Sequence, residues 1–189
     1  MVPLPPVEDR ALRALGARRA APPAPTPAEL VGRLREVARE SEALVAVLDA
    51  AAVAGERHLL SAWAHLGRSR SRGAARLRDR SAEFVLYVAG DDQLPRALAK
   101  VGVGPTTERF VVVAERPLEP SALLPRFGFV ADPSAYPRAA DAALLDRLGI
   151  DASDRATLPA SSWEGLVLER VALVDLQAAA PKPATTAKS

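Results

Sequence analysis

No cysteine occurs in this 189-residue chain, so disulfides, thiolate nucleophiles and cysteine-ligated zinc are all excluded. Aromatic residues make up only 4% of a chain that is 49% apolar, so a core must be assembled from Ala, Val and Leu. No apolar run approaches the ~20 residues that span a bilayer. The N-terminus lacks the basic start and apolar stretch of a signal peptide. These observations predict a soluble, cytoplasmic protein with no membrane partner. Catalytic signatures are missing as well. There is no Gly-x-Ser-x-Gly elbow and no His-Glu-x-x-His pair. Gly102-Val-Gly104-Pro-Thr-Thr107 lacks the Gly-Lys-Ser/Thr ending of a nucleotide loop and reads as a helix end followed by a turn. His58 and His65 lie two turns apart on one helix face, too far to share a metal ion. Asp91 and Asp92 are adjacent and face different ways, which suits helix capping better than acid/base work. The expectation is a protein that is not an enzyme and has no cofactor or metal.

What the chain does have is arginine in one place. Its formal net charge is only +2, yet residues 56–80 hold seven Arg against Glu56 and Asp79. Arg68, Arg70, Arg72, Arg76, Arg78 and Arg80 alternate through a stretch containing Ser69, Ser71 and Gly73. That pattern suits a loop that wraps a phosphate backbone, and arginine is the better residue for bidentate phosphate contacts. No aromatic is interleaved, so base-specific stacking is not indicated. A solvated basic loop in an arginine-rich composition is the competing explanation.

The length suits one domain. Residues 1–27 contain seven prolines and predict a largely flexible arm, with a short strand over Leu12–Arg18. Thr26-Pro27-Ala28-Glu29 is a capping box that opens a helix ending near Glu40. Ala43–Leu48 follows as a buried strand and Arg57–Leu66 as a helix. Glu83–Ala89 is rich in β-formers and predicts a strand. Asp91 or Asp92 caps a helix that stops at Gly102, and Phe110–Ala114 is another strand. Helices are predicted near Ser121–Phe127 and over Asp132–Leu148, the latter closed by Gly149. Ser162–Gln177, if helical, is apolar all round and must be covered all round. Either a partner covers one side, or the element lies in the core. Residues 178–189 read as a disordered tail. The fold class is α/β, a single compact domain over residues 28–177 with a small mixed sheet flanked by helices.

An ordered set of residues resembles the small accessory subunit of the KEOPS complex, the PRPK-binding-protein family. The set runs from Asp49 through Val53-Ala54-Gly55 to His58-Leu59-Leu60-Ser61-Ala62. It continues with Glu83 leading a segment that ends in Gly90, then Gln93-Leu94 opening a helix with Ala97 and Gly102. The resemblance covers roughly residues 28–177. At one position the chain departs from it: Asp92 precedes Gln93, where the family often has a basic residue. The resemblance implies a non-catalytic α/β subunit that docks on the complex's kinase-like ATPase and supports it. It also implies help in holding tRNA, including its 3′ end, during threonylcarbamoyl-adenosine formation. KEOPS occurs in archaea and eukaryotes, and the arginine-rich, compact chain points to an archaeal source. On this reading the tRNA contacts are Arg57, His58, Arg68, Arg70, Arg72, Arg76, Arg78, Gln93 and Arg96. The kinase-subunit contacts are Val167, Val171 and Val174. An ordinary first-turn histidine remains the alternative for His58. The competing class for the whole chain is a small α/β scaffold or ligand-binding protein without RNA contact.

Overall fold

The segment Arg-Phe-Val-Val-Val-Ala-Glu (β3, Arg109–Glu115) is apolar without alternation because both of its faces are covered. In the computed structural model, which describes residues 12–20 and 25–179, β3 lies inside a four-stranded sheet. Its partners are β1 (Leu12–Arg19), β2 (Val45–Asp49) and β4 (Phe129–Ala131), in the order β2-β3-β1-β4. The register sets Val112 opposite both Leu15 and Val47. Every pairing is antiparallel, which corrects the expectation of a mixed sheet. The α/β class holds.

The period-two alternation of the strands splits the core into two halves. Val45, Val47, Phe110, Val112 and Ala114 face α1 (Pro27–Ser41) and α5 (Pro120–Phe127). Leu44, Ala46, Leu48, Val111 and Val113 face the opposite layer, built on α2 (Glu56–Ser71), α3 (Arg80–Ala89) and α8 (Trp163–Ala179). α4 (Leu94–Val101) packs on α3, and α6 (Ala142–Leu148) packs on α8. The short α7 (Ala152–Ala156) joins these last two.

The Thr26 capping box forms as the sequence implies, with Glu29 N–H bonded to Thr26 Oγ1 and Thr26 N–H to Glu29 Oε2. The strand expected at Leu12–Arg18 is present as an interior strand between β3 and β4, so this part of the arm belongs to the sheet. Gly16 makes that possible. A Cβ there would sit 2.4 Å from Asp132 O, and the chain crosses so closely that Asp132 N–H bonds Gly16 O at 2.9 Å. α8 continues through residues 178 and 179, the first two of the expected tail, and the remaining expectations for the arm and the tail fall on residues 1–11, 21–24 and 180–189, outside those described.

Two elements differ from expectation. Glu83–Ala89 is not a strand but most of helix α3, capped by Asp79, which accepts from Ser81 N–H and Ala82 N–H, and closed by Gly90 in the left-handed region. All seven residues are buried, because α3 is sandwiched between the sheet and α2, α4 and α8. A helix covered on every side shows no amphipathic period, and β-formers there are indistinguishable from a buried strand. The helix expected over Asp132–Leu148 begins only at Ala142. Asp141 caps it by accepting from Leu144 N–H, and Pro133 and Pro137 hold the preceding segment in irregular structure.

Candidate nucleic-acid interface

The arginine stretch is more ordered than a solvated turn. α2 runs to Ser71, so Arg68 and Arg70 sit on its last turn, where cations complement the helix dipole. Beyond it the chain folds back on itself. Ala74 N–H donates to Ser69 O at 2.9 Å, and Ser69 Oγ donates to Ala74 O at 2.8 Å. At the centre is Glu83, a fully buried carboxylate from α3. Its Oε1 accepts from Arg76 N–H at 3.0 Å, and its Oε2 lies 2.8 Å from Arg70 Nη2, an ion contact without hydrogen-bond alignment. Arg70 Nη2 also donates to Leu77 O at 2.7 Å and Arg78 O at 3.2 Å. Arg76 donates to Val174 O on α8.

Two of the expected tRNA contacts, Arg70 and Arg76, are therefore braces of this loop. Arg80 is a third inward arginine. It pairs with Glu115 at 2.9 Å and lies over the Trp63 ring at 5.6 Å. Arg68, Arg72 and Arg78 are exposed, and none forms an ion pair among the described residues. Alternate spacing has sorted the arginines into an inner set that fixes the backbone and an outer set at one end of the molecule.

The other expected contacts do not join them. Arg57 is at the opposite end of α2, about 16 Å away by helical rise, and is paired with Glu164 at 2.9 Å. His58 is fully buried. Its Nδ1 accepts from Ala54 N–H at 3.2 Å and its Nε2 donates to Val88 O at 2.9 Å. Burial lowers its pKa to about 4, against the opposing pull of the Val88 carbonyl. A neutral core imidazole cannot reach RNA, so this assignment is corrected. Gln93 is the exposed N-cap residue of α4, but Arg96 is held by Asp91 and Asp92. Burial opposes the charged form of Asp91. Hydrogen bonds from Arg96 and Gln93 N–H, with the Lys100 ammonium, outweigh it and bring its pKa to about 2. Asp91 therefore serves as an ion-pair anchor, and Gln93 takes the cap position expected of the aspartates. Arg96 is neutralised where it stands.

The kinase-subunit contacts need the same revision. α8 is helical as expected, yet Val167, Val171 and Val174 are 0% exposed and pack into the core with α2 and α3. Their spacing makes them the inner stripe of the helix. The outward apolar residues are Leu173 and Leu176, the latter 67% exposed. Leu173 also lines a groove of about 390 Å³ with Ile150, Leu158 and Leu166. Composition marked α8 as unusual, but only packing distinguishes its two sides.

One polar cluster has no forerunner among the sequence motifs. His65 Nδ1 lies 2.6 Å from Asp175 Oδ2, and Tyr87 O–H donates to Asp175 Oδ1 at 2.9 Å, tying α2, α3 and α8 together. Burial, followed by the Asp175 carboxylate, pushes the Tyr87 hydroxyl above its usual pKa despite a lowering contact from Ser69. Among the described residues, no group of three His, Asp or Glu is placed to hold a metal ion, and no helix is long and apolar enough to cross a membrane. No family model matches the chain, and no curated protein matches its sequence.

Proposed function

We propose that the protein is a non-catalytic subunit of a KEOPS-type tRNA-modifying complex, binding tRNA and docking on the kinase-like ATPase subunit. The observation that carries the reading is the sorting of the arginine stretch. Arg68, Arg72 and Arg78 point outward without carboxylate partners, on the last turn of α2 and the loop that follows it, braced from inside by Arg70, Arg76 and Glu83. A pre-ordered display of guanidinium groups loses little entropy on meeting a phosphate backbone, whereas a floppy basic turn must be ordered first. The residues of the family resemblance supply the identity of the partners. The outward face of α8, with Leu173 and Leu176, supplies an apolar contact separate in chemistry from the arginines.

The reading is tested by the Arg68→Glu/Arg78→Glu variant. Its affinity for a tRNA transcript should fall, and the log–log salt slope should flatten by about 0.7 to 0.9 for each phosphate no longer neutralised. Co-purification with the kinase-like subunit should persist in that variant and be abolished in Leu176→Asp. Wild-type tRNA affinity that does not change with salt would overturn the RNA assignment. Unchanged co-purification of Leu176→Asp would overturn the docking face.

A further inference from the structure

Among the described residues the sheet ends at β2, which has no strand on its outer side and is covered there only by the flanking helices, with Val45 2% and Val47 7% exposed. Glu115 N–H bonds Leu44 O at 2.9 Å, so the even-numbered residues of this strand are the ones hydrogen-bonded to β3. Val45 N–H points the other way and donates to Ser81 Oγ at 3.1 Å. Val47, two residues on, turns outward in the same sense. None of the described residues bonds its outward backbone groups. A groove of about 340 Å³ runs along this edge. One wall is α1, with Val31 and Leu34, and the other is α3 and α4, with Val85, Leu94 and Leu98. Val31 and Leu98 are 45% and 49% exposed, two of the largest apolar exposures on the described surface. Two charged residues line the same groove: Asp79, whose carboxylate is engaged in capping α3, and Arg35, which forms no ion pair among the described residues.

We propose that this groove takes a short, extended, acidic peptide segment of another protein, which adds a strand to β2. The occupant's chemistry follows from the site. The outward N–H and C=O of Val47 require a partner with a free backbone, which an extended chain offers and a helix does not. Successive side chains of an added strand alternate between the two faces of the sheet. Here both faces are apolar, α1 on one side and α4 on the other, so consecutive aliphatic residues fit. The unpaired Arg35 guanidinium selects a carboxylate at the rim. The groove shares no residue with the outward arginines, so it stands independently of the RNA reading.

The test uses the full chain, isotope-labelled for amide NMR, and the probe acetyl-Glu-Val-Leu-Val-amide. Two analogues accompany it, one with Lys for Glu and one with Pro for Leu. The expected result is amide shift changes confined to Val45–Asp49 and the α1 and α4 walls. The Pro analogue, lacking one N–H, should bind more weakly. Leu98→Asp should reduce affinity about tenfold or more, as expected when a leucine that covers the peptide becomes a carboxylate. Arg35→Glu should transfer the preference to the Lys peptide. Both residues are exposed, and an unchanged unfolding midpoint checks that each variant is folded. If Leu98→Asp unfolds, Val31→Asp on the opposite wall serves instead. Equal binding of the Pro analogue would overturn strand addition. Shift changes driven by protein concentration alone would assign the edge to a second copy of this chain, and no shift changes at millimolar peptide would refute the site.

Discussion

His58 decides between two uses of the first turn of α2, and its protonation provides the measurement. The buried, neutral ring joins Ala54 N–H to Val88 O, with its pKa at about 4 against the usual 6.5. In the unfolded chain the ring takes up a proton below pH 6.5, whereas in the folded chain it resists until about pH 4. Its linkage contribution is therefore fully present above pH 6.5 and disappears as the pH falls toward 4. The gap of about 2.5 corresponds to a loss of about 3 kcal/mol between pH 7 and pH 4. His58→Asn keeps an acceptor for Ala54 N–H but leaves Val88 O without its donor, which should cost about 1–3 kcal/mol at pH 7. Urea denaturation of both proteins across that range isolates the imidazole, because the carboxylates common to both cancel. The deficit of the variant should shrink by about 3 kcal/mol toward pH 4, so that it equals or surpasses the wild type. A deficit that stays constant, or a resonance assigned to His58 (the one lost in His58→Asn) titrating near pH 6.5, would refute the buried-neutral assignment.

Two further substitutions probe the architecture behind the interface. Arg70→Ala removes the ion partner of the fully buried Glu83 and should destabilise the chain by about 3–5 kcal/mol, while exposed Arg72→Ala should stay within about 0.5 kcal/mol. Equal urea midpoints for the two would contradict the division into inner and outer arginines. Gly90→Ala forces a Cβ onto a left-handed residue with φ 59, 2.4 Å from Arg170 Cγ on α8. It should lower stability by more than ~1 kcal/mol, and an unchanged thermal midpoint would show that the α3–α8 approach is looser than described.

Local signals in the sequence were sufficient wherever a single element carried its own instruction. Thr26 and Glu29 specify the start of α1 through two reciprocal hydrogen bonds, and Gly149 ends α6 because only glycine enters the left-handed region freely. The apolar run of β3 announced a strand, and the arginine stretch announced a concentrated positive charge. Sequence could not say that Glu83–Ala89 is a helix, because burial on all sides erases the period that separates helix from strand. Nor could it say which side of α8 faces out. Val171 and Leu176 are equally apolar, and only the packing of α2 and α3 buries the first and leaves the second in solvent. The arginines show the same division of labour. Their charge is a property of the residues, but whether a guanidinium meets solvent or a buried carboxylate depends on Glu83, Val174 and Glu115. These residues lie on other elements, and tertiary packing alone brings them within reach.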